Sequence, residues 1–185
     1  MNIEKLIWSK TKTDILKYLL FRRQGISIRA LETELEWSFP AIKKQVDSLL
    51  EAEIVTIDKD NNKWSIYISV EIYELIKRIF MQSIEFSINK EFMKYDTIVE
   101  KYYLGSFFGN PIMNSNQNID IIVIYKVIWK DFIDKIKTNI AEIFKDNFIN
   151  DIWMVFMSSE DFQRRYRLSD KFVLSILRNT KNINI

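Results

Sequence analysis

Residues 103–125 read YLGSFFGNPIMNSNQNIDIIVIY. One apolar run stops at Gly105-Ser106, a polar loop follows, and a single acid, Asp120, heads a second apolar run. That arrangement raises the question of phosphate handling: an active site, or the remains of one. The chemistry open to the chain is narrow. Its 185 residues include no cysteine and no histidine. Disulfides and thiolate chemistry are excluded, as are Cys/His zinc sites and every dyad or triad that needs an imidazole base. A reaction would have to run on carboxylates, Lys, Tyr or a borrowed metal.

The elements that must position these residues can be read from periodicity. The second half alternates strand-like and helical segments. EKYYLGS is a strand candidate ending in Gly105-Ser106. IDIIVIY (119–125) is a continuous apolar run, as expected of a strand buried on both faces. KDFIDKIKTNIAEIFKD carries Phe132, Ile133, Ile136, Ile140, Ile143 and Phe144 at helical spacing. DIWMVFMS is a third strand, and SSEDFQRRYRLSDKFVLSILRNTK gives two short helices with Ser158 or Ser159 as cap. Such alternation predicts a small layered α/β domain.

The spacing from Gly105-Ser106 to IDIIVIY resembles the minimal nucleotidyltransferase domain, the fold of DNA polymerase β and the kanamycin nucleotidyltransferases. In that family a Gly-Ser backbone cradles a triphosphate. An Asp-x-Asp opening the next strand holds two Mg²⁺ ions, and a third carboxylate on a later strand completes the site. Gly105 and Ser106 match the Gly-Ser, and Gly109 matches the loop Gly one residue early. The Asp-x-Asp falls on Asn118-Ile119-Asp120, so an amide stands where the first acid belongs. Asp151 is the candidate for the third carboxylate. Two Mg²⁺ bring about +4 into a small space, which one carboxylate and a neutral amide do not balance. The resemblance therefore implies a degenerate nucleotide site at Gly105, Ser106, Asn118 and Asp120, with no catalytic residues, no metal and no cofactor. The plainer alternative is an ordinary strand-end turn at Gly105-Ser106, with Asp120 capped by backbone N–H groups.

The first half is patterned differently. Helical spacing begins after Thr11, with Ile15, Leu16, Leu19 and Leu20 on one stripe. Thr11 is the expected N-cap, and Gly25 is expected to end the helix with φ > 0. A short helix capped by Ser27 carries Ile28, Leu31 and Leu35. Ser38 and Pro40 then open a helix that buries Ile42, Val46, Leu49 and Leu50. After Ile54 the period changes to two: IVTID and KWSIYIS are strands, with DKDNN as the turn between them. A last helix spans roughly 71–88.

This order resembles the winged helix-turn-helix of ArsR- and MarR-type repressors, most tellingly over AIKKQVDSLLEAEIVTIDKDNNKWSIYIS. Glu53 departs from that family's usual Gly. The resemblance implies DNA contacts from Ser38, Ala41, Lys43, Lys44 and Gln45 on the recognition helix. It also implies phosphate contacts from the wing residues Lys59 and Lys63. Residues 1–88 balance 13 basic against 13 acidic side chains, so charge alone gives little nonspecific affinity. Dimerisation, which in such proteins runs through the first and last helices, would double the positive patch. Arg164, Arg165 and Arg167 form a second basic cluster that reads as a solvated helix face.

The expected protein is thus an α+β chain of two domains, a winged helix at 1–88 and a nucleotidyltransferase-like domain at 89–185. Its expected role is DNA-binding transcriptional regulation, with double-stranded DNA and a second copy as partners. The back domain would serve dimerisation or sense a nucleotide or protein effector. The alternative is an active, antitoxin-like nucleotidyltransferase. MNIEKLIWSK lacks a long apolar core followed by small residues, and no run approaches the ~20 apolar residues that span a bilayer. A cytoplasmic location with no membrane partner is expected.

Overall fold

Short polar caps and buried apolar stripes set the first elements. The computed structural model describes residues 9–22, 25–60, 63–109, 112–114, 117–126, 130–179 and 182–184. The fold is mixed α+β, and the chain divides into two units. One comprises residues 1–86 with 145–149, the other residues 87–144 with 150–185.

In the first unit, helix α1 runs Lys10–Arg22. Its cap is Ser9, whose hydroxyl accepts the Lys12 N–H at 3.3 Å, and not the expected Thr11. Thr11 and Thr13 lie inside the helix and are buried, because the stripe Ile15, Leu16, Leu19 and Leu20 draws the preceding turn into the core. Helix α2 (Ile28–Leu35) is capped by Ser27, which accepts from the Ala30 N–H at 3.2 Å. Helix α3 (Phe39–Glu51) buries Ile42, Val46 and Leu49. Ser38 occupies its N-cap with extended backbone, but its hydroxyl makes no capping bond. The Phe39 N–H instead donates to Glu32 of α2 at 3.2 Å.

The end of α3 is closed by two backbone bonds: the Ile54 N–H reaches Leu49 O at 2.9 Å and the Glu53 N–H reaches Leu50 O at 2.9 Å. That pattern requires a left-handed residue, and Glu53 supplies it at φ 57°. Strands β1 (Val55–Asp60) and β2 (Lys63–Ile68) pair antiparallel from Val55↔Ile68 to Asp60↔Lys63. Pairing therefore continues through Asp58-Lys59-Asp60, which the sequence assigned to the turn; Asn61 and Asn62 lie outside the described residues. The root of this hairpin is anchored. The Ile66 N–H donates to Ile26 O at 2.9 Å, and Val55, Ile66 and Ile68 are buried. Gly25 does not take a positive φ. Its hydrogen makes room for the Tyr67 ring, since a Cβ there would lie 2.1 Å from Tyr67 Cζ. Helix α4 (Val70–Phe92) follows, with Ile76 and Phe80 in the same core.

The second unit holds a four-stranded sheet in the order β7-β6-β3-β8. Its strands are β3 (Val99–Leu104), β6 (Ile121–Tyr125), β7 (Met154–Ser158) and β8 (Asn182–Asn184). Strand β6 runs parallel to β7 and antiparallel to β3, and β3 runs antiparallel to β8. The parallel pair is joined through helix α5 (Lys130–Lys145), as a crossover requires. A short hairpin of β4 (Ile112–Asn114) and β5 (Gln117–Ile119) precedes β6. The run expected as one strand over 119–125 is thus broken at Asp120. Ile121–Ile124 are buried throughout. Helices α6 (Ser159–Arg167) and α7 (Lys171–Asn179) set Phe162, Val173 and Ile176 against Tyr103, Ile122 and Ile124. Tyr102, next to Tyr103 and so on the other face, meets Phe92 with ring centroids 4.4 Å apart.

This unit also buries a charge. Glu91 is 7% exposed. It pairs with Lys94 and accepts a 2.7 Å bond from the Asn139 amide. Burial alone would raise its pKa, but the bonds from Lys94 and Asn139 together hold it below the usual carboxylate range. Among the described residues, no helix is long and apolar enough to cross a membrane.

Two outcomes are expected. Glu53→Gly relieves the left-handed strain and should raise unfolding stability by about 0.5–1 kcal/mol in urea denaturation; a lower midpoint would contradict it. Glu91 is an acid with a depressed folded pKa, so its stabilisation is present above its unfolded pKa of about 4.3 and is lost as pH falls through the folded value. The gap in urea midpoint between the parent and Glu91→Gln should be full near neutral pH, begin to narrow below about pH 4.3 and close only below the depressed folded value. A gap independent of pH would contradict this.

Candidate functional site

Two places hold the residues singled out by sequence. The first is the outer face of α3 with the following hairpin. Its position is set from behind. Glu32 of α2 takes the first N–H, the Trp37 indole N–H donates to Asp14 of α1 at 3.1 Å, and Lys12 of α1 donates to the Ser48 hydroxyl at 2.7 Å. With Ile42, Val46 and Leu49 committed to the core, the opposite side faces solvent. Ser38, Lys43 and Lys44 are exposed there, whereas Ala41 and Gln45 are half-buried on its flanks. Pro40, Lys43, Lys44, Asp47 and Glu51 line a shallow groove of about 640 Å³.

Charge on that face is mixed. Lys43 Nζ donates to both oxygens of Asp47, at 2.9 and 3.1 Å, and the pair is about half exposed. Such an exposed pair is worth well under 1 kcal/mol and yields readily to a stronger anion. On the hairpin Lys59 is exposed; Lys63 opens β2, and its side chain lies outside the described residues. Opposite Lys59 stands Trp64, which the sequence reading passed over. An aromatic residue directly after Lys63 was the available signal, but alternation with Ile66 and Ile68 alone gives no reason to separate it from a core position.

The second place is the turn after β3. The Gly105 N–H donates to the Asp120 carbonyl at 2.6 Å, and a Cβ on Gly105 would lie 2.2 Å from Ile119 O. Only a glycine fits this approach. A 3-10 turn spans Ser106–Phe108 and closes at Gly109 with φ 85°. The Asp120 carboxylate then binds the turn to the sheet: Oδ1 accepts the Phe107 N–H at 2.9 Å and Oδ2 accepts the Trp153 N–H at 3.0 Å. The Asp120 N–H in turn donates to Trp153 O at 2.9 Å. Burial pushes this carboxyl up, and the two N–H donors oppose the shift. Phe107 and Phe108 are half-buried and pack edge-on against Phe144, at 5.4 and 6.2 Å between centroids.

The remaining members of the nucleotide pattern are dispersed in character. Asn118 is exposed on β5 opposite Met113, and Asp151 is exposed in the segment before β7. Among the described residues, no three acidic side chains gather as a metal-ligand set. What the turn achieves is mechanical: one carboxylate joins three segments far apart in sequence. In the Arg164–Arg167 cluster, Arg164 and Arg165 both bond to the one carboxylate of Asp161 on the same helix, which offsets part of its charge.

Gly105→Ala should cost about 2–3 kcal/mol of stability, because the added methyl meets backbone and not a mobile side chain. Asp120→Asn keeps the shape but sets an amide donor against a backbone donor, and should cost about 1–3 kcal/mol in thermal or urea unfolding. A variant at Asp120 as stable as the parent would contradict the clamp. No family model matches the chain, and no curated protein or solved structure matches it.

Proposed function

We propose that the protein is a cytoplasmic, DNA-binding transcriptional regulator. In this reading α1–α3, the hairpin and α4 act as a winged helix, and the second unit acts as a nucleotidyltransferase-like domain without catalysis. The supporting observation is the presentation of α3. Its apolar side is buried, both ends are fixed by partners outside the helix, and Ser38, Lys43 and Lys44 are left on the outer face. An exposed polar helix face of this kind fits a major groove, where its lysines can reach guanine O6 and N7 or flanking phosphates. Lys59, on the hairpin, would take a neighbouring phosphate.

Two further observations favour the parts of this reading. Leu75 and Phe86 of α4 lie 11 residues apart, three turns along one helix face, and are 60% and 54% exposed. They offer two apolar contacts, with exposed Arg78 and Gln82 between them, to a second copy, and a homodimer would present two α3 faces to one duplex. In the second unit, both oxygens of Asp120 are already occupied by backbone donors. That supports a sensing or assembly role for this unit, toward a nucleotide or protein effector, over nucleotidyl transfer.

The chain should shift duplex DNA in a gel at low salt. Lys43, Lys44, Lys59 and Lys63 as phosphate contacts predict a slope of log K against log salt of about −3 to −4 per protomer. The double variant Lys43→Glu/Lys44→Glu should lose at least about tenfold in affinity with its thermal midpoint unchanged, since both side chains are exposed. No binding by the parent chain at low salt would contradict the proposal.

A further inference from the structure

The tip of the β1–β2 hairpin carries a feature that the fold itself does not need. Trp64 is 61% exposed, although its neighbours on β2, Ile66 and Ile68, are buried in the core. An indole left in water forgoes one of the largest burial gains available to any side chain. It is not left bare, however: Lys59, its cross-strand partner, holds its ammonium 5.3 Å from the indole centroid. Asp58, the acid next to Lys59, turns its Oδ1 to the Lys59 backbone N–H at 2.7 Å. The result is a flat aromatic surface with a cation on it, at the free end of a hairpin whose root is bonded to Ile26 and packed on Gly25.

We infer that Trp64 and Lys59 form one contact for the sugar–phosphate wall of double-stranded DNA. The indole face would pack on deoxyribose and its N–H would donate to a phosphate oxygen, while Lys59 leaves the ring to neutralise the adjacent phosphate. The choice of occupant follows from the chemistry of the pair. A hydrophobic protein partner would have to desolvate the Lys59 ammonium, whereas the duplex backbone places apolar sugar and anionic oxygen within one residue of each other. The anchored root matters as well. A strand anchored at Ile66, two residues from Trp64, gives up little freedom on binding, so the contact would add affinity and set how far the hairpin reaches along the groove. The inference rests on the DNA-binding reading above and extends it to a residue outside that reading.

The test uses the full chain and a 5′-labelled duplex of about 30 base pairs, followed by fluorescence anisotropy at several salt concentrations. Trp64→Ala should weaken binding about tenfold at every salt without changing the slope, because stacking releases no counterions. Trp64→Tyr should recover most of that loss, and Lys59→Gln should reduce the slope by about 0.9. Duplex should quench part of the parent's tryptophan emission, and that part should vanish in Trp64→Tyr. If the parent binds duplex and Trp64→Ala binds equally well, this inference falls and the DNA-binding reading stands. If the parent binds no duplex, both fall.

Discussion

The first unit depends on how α3 is started. A helix leaves its first N–H groups without internal partners, and the residue placed to help, Ser38, does not. Glu32 reaches across from α2 instead, and Trp37, one residue before Ser38, is tied to Asp14 of α1. Three helices are thereby locked at one corner through side chains that are polar yet largely enclosed. The arrangement has a consequence for the outer face. No residue of α3 between Lys43 and Glu51 is required to cap its start, so the exposed stripe is free to carry charge. That the stripe carries Asp47 and Glu51 beside Lys43 and Lys44 limits indiscriminate attraction to polyanions. On a DNA duplex, as proposed, such a face would favour the site where its donors and acceptors are matched, at the cost of affinity elsewhere.

The second unit depends on Asp120 in a comparable way. A carboxylate that could serve a metal or a nucleotide is instead the tie between the Gly105 turn, the head of β6 and the segment entering β7. The same residue breaks an apolar run into β5 and β6, which lets the chain turn before it enters the sheet. Above it, the rings of Phe107 and Phe108 close over Phe144. The turn is therefore a packed corner of the unit. Its side-chain chemistry serves cohesion.

What could be read from the sequence was what local pattern determines. Buried stripes on α1, α3 and α5, the period change after Ile54, the Ser27 cap and the order of the longer elements all follow from spacing and composition, whereas the β4–β5 hairpin and β8 did not show in the pattern. The misses have a common cause, which is dependence on a distant partner. Thr11 and Ser9 are equally good caps in isolation, and only the depth of burial of Thr13 selects Ser9. Gly25 reads as a helix stop until Tyr67 is seen against it. Asp120 reads as the start of a strand because the group that claims it, the Trp153 N–H, lies 33 residues away. Glu53 was visible as a departure, and its left-handed backbone explains why glycine would suit the position. Trp64 shows the limit most plainly, since exposure of an indole is a property of the folded surface alone.

The central claim is that α3 and the hairpin tip together form a surface for duplex DNA, held rigid from behind. Amide hydrogen exchange of the full chain, measured by mass spectrometry with and without duplex, tests it most directly. The account predicts added protection confined to peptides covering the start of α3 and residues 58–66, with the Gly105–Asp120 turn unchanged. Protection that appeared only in the second unit, or nowhere at saturating duplex, would contradict it.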